Sequence, residues 1–209
     1  MPPNPRPIPR FIADSTQEGI PHGRFAERLA GTFRAACDAL AELPEGVSAD
    51  GELDWFPERA WGGRVWVPCS TRAEGAEGAV ELFGHVSYVQ PAEGDPTDFQ
   101  AKADFTGVLA EDNPDWRIDL NDEVIGRWRG ENGRAGAVTL VWGRPLNLQG
   151  AVAATAELEL ETVDQEAISN DRFTLIALDA LEGYGDEILM QVKLWSKWAK
   201  ELASESLYD

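Results

Sequence analysis

The sequence has few of the residues that most often build metal centres, disulfide scaffolds and nucleophilic sites. Its 209 residues include two cysteines, two histidines and four lysines. Two cysteines are too few for a disulfide scaffold or a four-thiolate metal site. We therefore interpret Cys37 and Cys69 as buried apolar thiols, and we expect neither a metal nor another cofactor.

The sequence also lacks long apolar segments. No run of about 18 apolar residues occurs, and the first residues hold no apolar run of signal-peptide length. Five of the first nine residues are proline, which fixes the backbone and removes hydrogen-bond donors. We expect an extended arm over residues 1–20, a single domain over residues 21–209 with two small domains as the alternative, and a cytoplasmic location.

Positive charge is scarce along the whole chain. The 37 acidic and 18 basic side chains give a net charge of −19, and residues 1–60, 61–130 and 131–209 each hold six basic residues against 10, 13 and 14 acidic ones. Because no segment is basic, the composition argues against direct binding to nucleic acid or to an anionic membrane. An acidic surface fits high solubility, a salty cytoplasm or a basic partner.

One long helix is the clearest element. Phe25, Leu29, Phe33 and Cys37 recur at helical spacing, and this pattern predicts a helix over Gly23–Leu43 that ends before Pro44.

Downstream, the apolar period changes from 3.6 residues to two, which predicts strands. Asn132-Gly133 is a dipeptide favoured in two-residue hairpin turns, and a pairing of Glu131 with Arg134 would place Arg127 opposite Val138. The same register places Ile125 opposite Leu140 and Trp128 opposite Ala137. The predicted strands are Arg64–Ser70, Ala79–Gln90, Phe99–Leu109, Trp116–Leu120, Val124–Gly130, Arg134–Arg144, Gln149–Val163 and Arg172–Asp179.

Two sequence patterns in the C-terminal third predict a solvated strand face and a terminal helix. In Gln149–Val163, Glu157, Glu159 and Glu161 share one strand face, which we interpret as solvated. Residues 187–195 fit either a strand or a helix, but the helical spacing continues to Leu202 and favours a C-terminal helix.

These elements predict an α+β fold: a curved antiparallel meander sheet, or a partly closed barrel, of seven to eight strands, with a long N-terminal helix and a C-terminal helix. Such a sheet can enclose an apolar cavity.

Motifs for established chemistries are missing. The sequence contains no phosphate-binding loop, no His-Glu-x-x-His, no Cys-x-x-Cys and no Gly-x-Ser-x-Gly. His85 remains as a weak candidate for acid/base catalysis, since it lies on a predicted strand face with Glu81; a structural histidine is the alternative.

A candidate ligand-binding set comprises Arg127, Arg129, Trp142 and His85. In the assumed register both arginines point to the side of Leu140, where a guanidinium at a cavity mouth would bind a carboxylate or phosphate. The alternative is that they extend past Trp142 to solvent.

The leading functional hypothesis is a non-enzymatic binding or interaction protein with a curved-sheet apolar cavity for a small apolar or anionic ligand. A second is an acidic factor that docks a basic protein, as an inhibitor, an immunity factor or a nucleic-acid mimic would. A third is a small acid/base enzyme using His85. We also expect a homodimer whose interface includes Trp195 or Trp198, because the terminal helix carries surplus apolar surface.

Overall fold

The computed structural model describes residues 23–76, 78–129, 135–158, 161–179 and 190–207. These residues form mostly antiparallel sheet with one α-helix, and they fall into two compact units, 23–116 and 117–207. The predicted arm over residues 1–20 lies outside the described residues, and the single domain stays a prediction. None of the helical structure in the described ranges has the length and hydropathy needed to cross a bilayer.

Helix α1 spans Gly23–Asp38, and its apolar stripe places Leu29, Phe33 and Cys37 in the core. It ends five residues earlier than the sequence predicts. The N–H groups of Ala39 and Leu40 bond to carbonyls three residues back, which tightens and closes the last turn before Pro44.

A five-stranded sheet lies against α1 in the first unit. Its main hydrogen-bonded order is β1-β3-β4-β5, and β2 pairs with β3. One face of the sheet and α1 share an apolar core that includes Val67, Leu82 and Val86. The strands are β1 Asp54–Trp55, β2 Arg59–Trp61, β3 Arg64–Gly75, β4 Gly78–Val89 and β5 Thr97–Thr106.

The second unit contains two sheets that share a core. One has the order β10-β7-β6 and the other β12-β11-β8-β9. Val141 and Phe173 of the first sheet pack in one cluster with Ala154 and Val192 of the second. The strands are β6 Ile118–Arg129, β7 Ala135–Pro145, β8 Ala151–Leu158, β9 Glu161–Ala167, β10 Phe173–Asp179, β11 Met190–Ser196 and β12 Glu201–Ser206.

The predicted C-terminal helix is wrong over the described residues, where β11 and β12 form a hairpin instead. Met190, Val192 and Leu194 alternate into the core, so burial of one strand face overrides the coincidental helical spacing. The predicted strand Gln149–Val163 is likewise two strands, β8 and β9, which pair with each other.

The predicted hairpin register is wrong by one residue. Arg127 pairs with Ala137, and a bulge around Ile125 shifts the pairing again toward the start of β6. Asn132-Gly133 lies outside the described residues. No sheet path closes on itself among the described strands, so the partly closed barrel is not confirmed.

Candidate functional site

The register separates members of the ligand-binding set that the sequence predicts. Trp142 pairs with Asn121, whereas Arg127 pairs with Ala137, and these two positions of β7 lie on opposite faces of the sheet. Trp142 is fully buried. The side chain of Arg129 lies outside the described set, and His85 belongs to the other unit. Ligand binding by these residues stays a prediction.

His85 lies on the face of the first unit's sheet that points away from α1, between Pro68 of β3 and Lys102 of β5. The Trp66 ring packs edge-on against it, with centroids 5.1 Å apart. Only 6% of His85 is exposed, and its buried Nδ1 has no hydrogen-bond partner.

The surroundings of His85 oppose protonation. Burial, and secondarily the positive charge of Lys102, lower the pKa of His85 from 6.5 to about 4. The imidazole is therefore uncharged at neutral pH. A general base works best when its pKa lies near the operating pH, and the lowered pKa of His85 does not meet this condition. The charged group that acts on His85 is a cation rather than the carboxylate that the sequence-based hypothesis requires.

Carboxylates gather on the same sheet face near the start of β4. Arg72 of β3 pairs in register with Glu81 of β4, its guanidinium bonds to Glu111, and its Nε lies 3.6 Å from Oε1 of Glu74. Asp104 of β5 pairs with the residue two positions beyond Glu81, so it extends the group toward the sheet edge. We call Glu74, Glu81, Asp104 and Glu111 the acidic patch.

An exposed apolar side chain follows β5 beside the acidic patch. Thr106 pairs with Glu81, and its Oγ1 accepts a hydrogen bond from the N–H of Val108 at 3.0 Å. Val108 is 57% exposed. The patch thus combines four carboxylates with one exposed aliphatic group.

Other basic side chains of this unit are engaged locally. Residues 23–116 contain 18 acidic and seven basic residues. Arg34 donates to the carbonyl oxygens of Ala49 and Gly51, and Arg64 forms an ion pair with Asp98. The Arg28 guanidinium lies 3.9 Å from the centroid of the Phe99 ring. The acidic excess of the unit is consequently left to its exposed carboxylates.

A buried polar network lies in the second unit, on the face of the four-stranded sheet opposite its core. Lys193 Nζ is 3.1 Å from Glu157 Oε2 and 3.5 Å from Glu201 Oε2. Thr155 Oγ1 is 3.3 Å from Glu157 Oε1, and it accepts a hydrogen bond from Trp195 Nε1 at 2.8 Å. The network links a buried indole to a half-exposed carboxylate.

Sequence reasoning missed this network for two reasons. The sequence pattern predicts a solvated face for Glu157, which is buried, and a helix for Lys193 and Trp195, which lie on strand β11. The available signal was the strand-like alternation over residues 190–194, which places Lys193 on the opposite face from Val192 and Leu194.

The turn between β11 and β12 presents Trp198, which is 81% exposed. Ser196 Oγ accepts hydrogen bonds from the N–H groups of Trp198 at 3.3 Å and Lys200 at 3.2 Å. Lys197 Nζ lies 5.1 Å from the centroid of the indole ring. Ala199 adopts a φ of +57°, which closes the turn.

The two cysteines are core thiols, as the sequence predicts. Cys37 and Cys69 are free and buried between α1 and β3. Burial raises the pKa of Cys37 to about 11 and also raises the pKa of Cys69 well above its usual value. Both thiols stay protonated and unreactive at neutral pH.

Among the residues that the structure describes, no group of three or more histidine, cysteine or acidic side chains is arranged to hold a metal ion. No family model, curated protein or solved structure matches this chain.

Proposed function

We propose that the protein is a non-enzymatic interaction protein that docks a basic partner on its acidic patch. The carrying observation is that Glu74 and Glu111 both contact the guanidinium of Arg72, while Glu81 lies opposite Arg72 on the neighbouring strand and Val108 is exposed. An inhibitor, an immunity factor or a nucleic-acid mimic would use such a surface.

The electrostatics of the patch support this function. The patch holds four carboxylates, and Arg72 is paired with two of them, so the patch keeps a local negative charge that attracts Lys and Arg side chains from a distance. Once in contact, a carboxylate accepts two parallel hydrogen bonds from an arginine. Val108 adds an apolar contact that is less sensitive to salt.

The packing of α1 leads us to prefer this function over an apolar-cavity protein. Leu29, Phe33 and Cys37 of α1 are completely buried in the core cluster that also contains Val67 and Leu82 of the sheet. The apolar side of this curved sheet is therefore occupied by the protein's own helix, while the acidic patch lies on the opposite side.

Binding of a fluorescent Lys/Arg-rich peptide tests the function. The variant Glu74→Gln/Glu111→Gln removes two charges from the patch. The matched control Glu93→Gln/Asp95→Asn removes two charges from the loop at the other end of the β4–β5 hairpin, about 25 Å along the strands. We expect affinity to fall about tenfold or more in the patch variant and about twofold or less in the control. Equal losses would mean that net charge alone attracts the peptide, and would refute the proposal.

A further inference from the structure

The β11–β12 turn is a positively charged aromatic projection on a strongly acidic protein. Lys197 and Lys200 are two of the four lysines in the chain, and they flank Trp198. We call Lys197, Trp198 and Lys200 the basic tip. Trp198 is the most exposed large apolar side chain among the described residues.

We propose that the basic tip of one copy docks on the acidic patch of a second copy, so that the protein forms a homodimer. This inference rests on the proposed function, because it uses the acidic patch as a receptor for a basic element. It names the partner as this same chain.

Complementary charge and a matching apolar contact favour the pairing of the basic tip with the acidic patch. The tip offers two ammonium groups and an indole, and the patch offers four carboxylates beside Val108. The indole packs on the aliphatic group while the lysines reach the carboxylates at the rim. This arrangement, an aromatic anchor with surrounding charge pairs, is typical of residues that dominate binding energy.

The turn holds the tip ready for binding. Ser196 bonds through its hydroxyl to two backbone N–H groups, and its own N–H donates to the carbonyl of Lys200 at 2.9 Å. Less conformational entropy is then lost on docking than from a mobile loop. Exposure of the Trp198 ring to water is unfavourable, and a partner surface that covers the ring removes this unfavourable exposure.

A second copy is a better match for the tip than nucleic acid or an anionic bilayer. Each of those surfaces is a continuous array of negative charge, so the whole chain at −19 meets stronger repulsion there than from a second copy, whose charge is spread over a folded surface. Two copies also repel each other, but charges more than about 8 Å apart are largely screened at physiological salt, so the local attraction governs contact.

Sedimentation velocity on the full chain tests the inference, at protein concentrations from about 5 to 200 μM and at about 0.15 M and about 1 M salt. We expect the wild type to exceed the 22.9 kDa monomer mass at about 0.15 M salt, where the net repulsion is screened, and to approach it at about 1 M salt, where the ion pairs are screened as well. The variant Trp198→Ser should weaken dimerisation at least tenfold, whereas Val124→Ser, which alters another exposed apolar residue, should not.

A charge exchange gives the sharper result. Lys197→Glu/Lys200→Glu and Glu74→Lys/Glu111→Lys should each fail to dimerise alone and should associate when mixed, because one contact is rebuilt with reversed charges. Arg24→Glu/Arg117→Glu changes the net charge as much as the tip variant does, and it should still dimerise.

A wild type that stays monomeric at about 200 μM and about 0.15 M salt would overturn the inference. Dimerisation that survives Trp198→Ser, or a charge-exchange mixture that does not associate, would overturn it too, as would a monomer that binds anionic vesicles through the tip. If the wild type is monomeric but the patch still selects the basic peptide, the proposed function stands and only self-association is refuted. If the peptide shows no preference for the acidic patch, the proposed function is refuted, whatever the result for self-association.

Discussion

Lys193 and Glu157 form an ion pair on the sheet face that points away from the apolar core. Nζ and Oε2 lie 3.1 Å apart, and the two side chains are only 8% and 1% exposed. Removing both charges from water is costly, so their mutual attraction and the contacts to Thr155 and Glu201 must offset that cost. The pair therefore makes the fold sensitive to the loss of either partner.

Replacing one partner of this pair should destabilise the protein strongly. Lys193→Met leaves Glu157 buried without its cation, and we expect the free energy of unfolding to fall by about 3 kcal/mol. Urea unfolding measures it. The double variant Lys193→Met/Glu157→Leu should recover much of the loss, and Arg117→Met, at an exposed position, should cost less than about 0.5 kcal/mol. A loss below about 1 kcal/mol in Lys193→Met would contradict this account.

His85 should make the protein sensitive to mild acid. Its pKa is about 4 in the folded protein and 6.5 without the fold, so the unfolded state takes up the proton first as pH falls. His85 therefore leaves the free energy of unfolding unchanged above pH 6.5. Between pH 6.5 and pH 4 this free energy falls progressively, by about 3 kcal/mol. Comparing unfolding of the wild type and His85→Gln across this range isolates the effect. Parallel pH profiles, or an NMR titration of His85 near 6.5, would contradict it.

Two glycines should respond to alanine in opposite ways. Gly84 has a φ of +155°, and a Cβ there would lie 2.1 Å from the carbonyl oxygen of Lys102 on β5. Gly84→Ala should push β4 and β5 apart and cost about 3 kcal/mol or more. Gly31 on α1 has open space around it, so Gly31→Ala should stabilise the protein by about 1 kcal/mol. Thermal unfolding of both variants checks the contrast, and equal shifts in melting temperature would refute it.

The thiols should be inert in the folded state. Cys37 and Cys69 are buried, and their raised pKa values keep both protonated. A thiol-reactive dye should label neither residue at neutral pH until denaturant is added, and both should then react together. Rapid labelling of the native protein would show that α1 detaches from the sheet.

The helix and the central strands could be predicted because each buries a face with a regular period. Leu29 and Phe33 mark α1, and Val65 and Val67 mark β3. The C-terminal hairpin could not be predicted, because residues 187–195 satisfy both periods and only packing on the sheet decides between them. Burial of Glu157 depends on Lys193, which is distant in sequence.

Only part of the candidate site could be predicted from the sequence. The acidic excess is visible in the sequence, but the patch depends on strand register, which places Arg72 opposite Glu81 and brings Glu111 to the same guanidinium. Register also displaced Arg127 from its expected face, because Arg127 pairs with Ala137 rather than Val138, and a shift of one residue moves a side chain to the other face of the partner strand.

Mapping a basic peptide on the protein by NMR tests the central claim most directly, because it reports where the partner docks. The account predicts that amide signals of Arg72, Glu74, Glu81, Asp104 and the segment 108–111 shift on titration with a Lys/Arg-rich peptide at physiological salt, while those of Glu93 and Asp95 do not. Shifts spread evenly over all exposed acidic residues, or concentrated away from the acidic patch, would contradict it.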